Sequence, residues 1–189
     1  MSERVLYLHG LGSSGNSSTV AALRDLDLVV DAPSYAPHDY ERSMRELCDT
    51  VNSVKPSVIV GTSMGGFYAM KLSEVFGLPT LAINPVLDHA TFLEIFRDRP
   101  AKDYATNTDI PISDTMRAAF EPLDRIRRVE LAAPIHVIVG MNDEVVNPHS
   151  TIAYCESENL VYTPLPWGHR VENAEVVANL VGFLSIPAL

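Results

Sequence analysis

Short apolar runs alternate with amphipathic stretches from one end of the chain to the other. Residues 5–8, 28–30, 58–60, 80–83, 135–140 and 160–163 read as strands, and residues 17–26, 40–54, 65–76, 148–155 and 171–183 as helices. In 40–54, Met44, Leu47, Val51 and Val54 recur at helical spacing and form one face, with Cys48 beside them. Gly77 follows 65–76 where a helix C-terminus favours glycine. The strands are nearly continuous apolar runs, and helices follow them. That pattern predicts an α/β fold of about six parallel strands with helices on both faces.

The stretch 86–128 breaks the rhythm. It is rich in charge and proline, carries an apolar cluster at Phe92, Leu93, Ile95 and Phe96, and shows no clear strand. Such an excursion at strand ends predicts a small helical cap inserted into a single domain over 1–189; two surface helices and a loop are the plainer reading.

The chain has 189 residues, 47% of them hydrophobic, enough for one domain with a real core. No apolar run is long enough to span a bilayer, and residues 5–8 are too short for a signal-peptide apolar region, so a cytoplasmic address is expected. A formal net charge of −10 argues against nucleic-acid or anionic-membrane partners, which require basic surface. The two cysteines, Cys48 and Cys155, imply no disulfide framework, and no Cys/His cluster has metal-ligand spacing. Oligomeric state is not encoded legibly.

The chemistry concentrates at Gly61-Thr62-Ser63-Met64-Gly65, between a strand and a helix. G-x-S-x-G in that context is a nucleophile elbow, in which a strained turn projects the serine hydroxyl and the flanking glycines pack together. A serine nucleophile requires a base and a group to orient it. Asp143 follows strand 135–140 and His169 follows the last strand. Asp88, after strand 80–83, competes as the acid, with helix capping as its ordinary role. Glu144 is the weaker choice because its side chain should point elsewhere. Among the other histidines, His136 lies within a strand, and His38, His89 and His149 sit in loops or at helix ends.

The loop His9-Gly10-Leu11-Gly12-Ser13-Ser14-Gly15 follows the first strand. It can offer the Leu11 N–H, with that of Met64, to an oxyanion, while His9 braces it. A phosphate cradle is the other reading, but the P-loop Lys-Ser/Thr and the G-x-G-x-x-G spacing are missing. Phe67, Tyr68, Phe92 and Phe96 are candidates to line an acyl pocket, and core packing explains each about as well.

Leu6-Tyr7-Leu8-His9-Gly10 with Ser13-Ser14, the block Gly61 to Ala69, Asn84-Pro85, Asp143-Glu144-Val145 and Gly168-His169 together resemble the α/β-hydrolase superfamily, and more narrowly the small bacterial esterases of the YqiA type. The resemblance implies a minimal α/β-hydrolase fold and cofactor-free hydrolysis of carboxylic esters or acyl thioesters, with a small-molecule acyl substrate as the partner. It implies Ser63 as nucleophile, Asp143 as acid and His169 as base. Arg170 departs from the pattern, since such relatives often have an apolar or aromatic residue after the histidine. A catalytically silent binding protein, a cofactor-free haloperoxidase and a C–C bond hydrolase share the same motifs.

Overall fold

A computed structural model of the chain describes residues 3–26, 28–120 and 133–184. In chain order the elements are β1 (Arg4–Leu8), α1 (Ser18–Arg24), β2 (Val29–Asp31), α2 (Tyr40–Val54), β3 (Val58–Thr62), α3 (Met64–Phe76) and β4 (Thr80–Ile83). They continue with α4 (His89–Glu94), β5 (Ala101–Asp103), β6 (Thr108–Ile110), α5 (Asp114–Phe120), β7 (Ile135–Gly140), α6 (Pro148–Ser157), β8 (Val161–Leu165) and α7 (Asn173–Leu184). Six strands form one sheet in the order β2-β1-β3-β4-β7-β8, every pair parallel. The chain steps outward from β1 to β2, then returns to the other side of β1 for β3. Open parallel sheets bind ligands at the C-terminal strand ends beside such a reversal.

Alternation along the strands divides the core. Val5, Tyr7, Val58, Val60, Leu81 and Ile83 face α1 and α7, where Val20, Leu23, Val176, Leu180 and Phe183 cover them. Leu6, Leu8 and Ile59 face the opposite way, under Leu47 and Val51 of α2 and Phe67, Tyr68 and Leu72 of α3. Cys155 of α6 packs with Met70, Ala82, Val137 and Val139 on that same side. Helix α3 is buried on every side from Met64 to Ser73, so it is largely apolar around its circumference, with Lys71 the one charged residue in that stretch. Both cysteines are free.

The excursion between β4 and β7 corrects one expectation. It contains helices α4 and α5, and it also contains an antiparallel pair, β5–β6, in a stretch read from sequence as free of strand. Each strand is only three residues, Ala-Lys-Asp and Thr-Asp-Ile, too short and polar to show alternation. Asp103 makes the turn by accepting from the N–H groups of Ala105 and Thr106, and Asn107 takes a left-handed φ of 58°. Residues 121–128 of the expected cap lie outside the described residues.

Candidate active site

The strand β3 ends against the elbow. Ser63 has φ 56° and ψ −125°, a strained conformation for a residue with a Cβ. The turn is held on both sides: Ser63 N–H donates to Ile83 O at 3.0 Å, and Ser63 O accepts from Gly66 N at 2.9 Å and Val86 N at 3.1 Å. A Cβ on Gly61 would stand 2.1 Å from Gly65 O, and one on Gly65 would stand 2.1 Å from Leu8 O. The glycines are therefore dictated by backbone-to-backbone packing at the point where β1, β3 and α3 converge.

Three loops then deliver side chains to one place. His169 Nε2 lies 3.1 Å from Ser63 Oγ, and His169 Nδ1 lies 2.9 Å from Asp143 Oδ2. A carboxylate only accepts, so Nδ1 carries the hydrogen and Nε2 is left as acceptor for the serine hydroxyl. The Asp143 side chain is 2% exposed, and its second oxygen accepts from Val145 N and Val146 N, both at 2.8 Å. Asp88 is elsewhere: it caps α4, accepting from Thr91 N at 3.0 Å. Glu144 also points away from the imidazole. Its Oε2 accepts from the His169 backbone N–H at 3.0 Å, and that bond, with one from its own N–H, holds its carboxyl below the ordinary range.

Sequence reasoning noted Asn84 only as part of an Asn-Pro pair and gave it no role. It is buried at the end of β4 with a left-handed φ of 45°. Its Oδ1 accepts from Gly140 N at 2.7 Å, and its Nδ2 donates to Gly168 O at 3.0 Å and His169 O at 3.3 Å. One amide thus ties the end of the acid's strand to the histidine's loop. The available signal was an Asn-Pro pair directly after an apolar strand, where Asn tolerates the left-handed turn.

The oxyanion candidates flank the serine. Met64 begins α3, and neither its N–H nor that of Leu11 has a hydrogen-bond partner among the described residues. Gly10 abuts Ser63, since a Cβ there would stand 2.9 Å from Ser63 Cβ. His9 braces this loop from beneath: its Nδ1 lies 2.9 Å from Gly10 O, and Tyr35 donates its hydroxyl to His9 O at 2.6 Å. Burial lowers the pKa of His9 below the usual histidine value.

The four aromatic candidates separate. Phe67 and Tyr68 are 1% and 0% exposed, inside an aromatic cluster with Tyr40 and Phe120. Tyr68 donates its hydroxyl to Pro37 O at 2.9 Å, and burial pushes the phenol pKa up. These two belong to the core, which corrects their reading as pocket residues: an all-round buried α3 spends its aromatics on packing. Phe92 lines a cavity of about 110 Å³ with Val86, Leu87, Val145, Val146 and Tyr154. Phe96 stands edge-on to Phe92 at 5.7 Å, behind that lining. Two of its lining residues are tied to these loops, since Val86 N is bonded to Ser63 O and Val145 N to Asp143 Oδ1, but Ser63, Asp143 and His169 are not themselves part of the lining.

Among the described residues, no group of three or more His, Cys, Asp and Glu is placed to hold a metal, and no helix is long and apolar enough to cross a membrane.

Comparison with known proteins places this geometry. The model of an uncharacterised protein family, UPF0227, matches residues 4–163. A UPF0227 protein of Serratia proteamaculans is 31% identical over 112 residues, covering 54% of this chain and 62% of that protein, so the match spans less than two thirds of the relative's length. Among solved structures, a putative hydrolase of the α/β superfamily from Xanthomonas campestris superposes with a TM-score of 0.59 at 16% identity, covering 98% of this chain and all of that one. Est1E from Butyrivibrio proteoclasticus, solved with ferulic acid bound, superposes with a TM-score of 0.67 at 14% identity, covering 97% and 90%. At such identities the likeness establishes the fold, which is that of the α/β-hydrolases.

Proposed function

Because this chain belongs to the UPF0227 family and has the α/β-hydrolase fold, we propose that it is a serine hydrolase cleaving short- to medium-chain carboxylic esters or acyl thioesters through an acyl-enzyme. The observation that carries the reading is the continuous hydrogen-bonded chain Ser63 Oγ–His169 Nε2, His169 Nδ1–Asp143 Oδ2. Such a chain does what ester hydrolysis requires. His169 takes the hydroxyl proton as Ser63 Oγ attacks the carbonyl carbon, and buried Asp143 holds the imidazolium that forms. The N–H groups of Leu11 and Met64 receive the negative oxygen, aided by the N-terminus of α3. His169 then returns the proton to the departing alkoxide or thiolate. Water, deprotonated by the same ring, cleaves the acyl-serine and restores the free hydroxyl.

The cavity lined by Val86 and Val145, taken as the acyl site, supports the short end of the substrate range. Its volume of about 110 Å³ is well under the ~300–1,000 Å³ typical of sites for drug-sized ligands, and apolar walls at Val86, Leu87, Phe92, Val145 and Val146 face polar ones at Asp88, Thr91, Asn147, Ser150 and Thr151. It suits a short acyl chain.

The test is labelling and turnover together. A fluorophosphonate should modify Ser63 in the wild type and not in His169→Ala, with the adduct located by mass spectrometry. Ser63→Ala should lower kcat on p-nitrophenyl butyrate by about 10⁴–10⁶ with the fold intact. Asp143→Asn should lower it by about 10³–10⁴. Asp88→Asn should cost at most the α4 cap, about 1 kcal/mol of stability. Full turnover by Ser63→Ala refutes the proposal. A folded protein that binds esters without turnover or labelling would make this a binding protein.

A further inference from the structure

The residue after the histidine occupies an unusual position. Arg170 is exposed, and its guanidinium carbon lies 5.2 Å from the centroid of the Tyr104 ring. A cation over an aromatic face is attracted by the ring's quadrupole, and a planar guanidinium suits that stacking. Tyr104 belongs to the β5–β6 turn, and it is tied to the other side of the site: its backbone N–H donates to Gly12 O at 2.8 Å. The pair therefore spans the mouth, from the histidine loop after β8 to the oxyanion loop after β1.

Arg170 has no carboxylate partner among the described residues. Two acids on the neighbouring loops accept from backbone donors, and Glu172, two residues on, makes no ion pair with Arg170. Glu144 accepts from the His169 N–H, and Asp103 accepts from Ala105 and Thr106. The adjacent cation, Lys102, is paired with Asp109 at 3.2 Å. In a chain of net charge −10 the arginine is thus held in place by an aromatic ring and carries unspent donors. Long-range attraction of anions is not available to such a protein, so an anion would be held by contact at this point.

The direction of the substrate follows from the chemistry. The cavity taken above for the acyl chain is lined by the segments after β4 and β7 and by α6, away from the loop that carries His169. The leaving group must lie against His169, because that ring protonates it. Arg170 is the next residue. Resting on the serine-hydrolase reading above, we propose that Arg170, steadied by Tyr104, recognises a negatively charged group on the leaving half of the substrate. The preferred substrates are then short acyl esters or thioesters of an anionic alcohol or thiol.

The experiment compares 4-carboxyphenyl butyrate with its neutral methyl ester, 4-(methoxycarbonyl)phenyl butyrate, in wild type, Arg170→Gln, Arg170→Lys and Tyr104→Leu. The selectivity ratio in kcat/KM, anionic over neutral, should fall about tenfold or more in Arg170→Gln, chiefly through KM. It should fall less in Arg170→Lys and Tyr104→Leu, and it should shrink in wild type as salt is raised. A mono-aryl glutarate ester, charged on the acyl half, should show no such dependence. A ratio unchanged by Arg170→Gln, or a dependence confined to the glutarate, overturns the inference. If no variant hydrolyses any ester, the hydrolase reading fails on its own account. The anion site is then decided by calorimetric binding of 4-hydroxybenzoate, which must weaken about tenfold in Arg170→Gln for the site to stand.

Discussion

The elbow at the end of β3 and the excursion between β4 and β7 are neighbours in space and opposites in construction. At the elbow, backbones touch: Gly61, Gly65 and Leu8 leave no room for a single added carbon. In the excursion, α4 has six residues, β5 and β6 have three each, and Tyr104 at the turn is 68% exposed. The first region fixes Ser63 in a strained conformation by surrounding it with atoms that cannot yield. The second anchors itself in the core through Leu93, Ala101 and Phe120 and carries between these anchors short segments with exposed residues such as Tyr104, whose side chains can change at little cost to the fold. The difference locates precision in the sheet edge and selectivity in the excursion.

The sharpest way to break that contrast is Gly65→Ala. The new Cβ would stand 2.1 Å from Leu8 O and 2.7 Å from His9 O, both backbone atoms. Overpacking of this kind costs about 1–3 kcal/mol or more, and here it also moves Ser63. Thermal unfolding should show a drop of several degrees together with nearly complete loss of ester turnover. Tyr104→Ala in the hairpin turn should stay within about 0.5 kcal/mol of wild type. Equal destabilisation by the two would remove the distinction.

Asn84→Ala comes next in size. It strips an acceptor from the buried Gly140 N–H and a donor from the carbonyls of Gly168 and His169. An unsatisfied buried N–H alone costs about 1–3 kcal/mol. Since Asn84 aims the histidine loop and touches no substrate, kcat should fall while KM holds. Asn84→Asp keeps the acceptor for Gly140 and sets a carboxylate against two carbonyls, so it should recover stability less than it recovers the β7 end. A KM effect with kcat unchanged would make Asn84 a wall of the binding site instead of a brace.

The same contrast explains what the sequence made legible. The six parallel strands could be read because each is an apolar run punctuated by a loop, and α2 fell on its observed bounds because its period and its Asp39 cap agree. The members of the hydrogen-bonded chain could be picked out because each stands just past a strand end, where a parallel sheet gathers its loops. Other features depend on tertiary contact and leave no local pattern. The β5–β6 pair is too short for periodicity. Phe67 and Tyr68 look alike whether they face a pocket or a core, and only the all-round burial of α3 decides it. The double tie made by Asn84 joins positions 56 and 84 or more residues apart in sequence. The stacking of Arg170 on Tyr104 joins a hairpin not foreseen to a residue that merely looked out of pattern.

The smallest expected effect probes the seam between the two regions. His9 lies under the oxyanion loop, 2% exposed, with Nδ1 turned to Gly10 O and Nε2 lacking a hydrogen-bond partner among the described residues. Protonating Nε2 would bury a charge, so desolvation lowers the pKa of His9, and burial lowers those of His38 and His136 as well. The unfolded chain takes up these protons near the ordinary histidine value of about 6.5, while the folded chain does so only at lower pH. Below about 6.5 the unfolded state therefore binds more protons, and stability falls as pH falls toward the lowered folded-state values. The carboxyl of Asp103, on the hairpin, opposes this shift at His9 by favouring the charged ring, so the excursion partly offsets what burial imposes at the elbow. Chemical denaturation between pH 7 and pH 5 should show a smaller loss of stability in His9→Gln than in wild type, and a larger one in Asp103→Asn. Identical pH profiles for wild type and His9→Gln would mean that His9 titrates alike in the folded and unfolded chain, and the seam between the two regions would carry no electrostatic coupling.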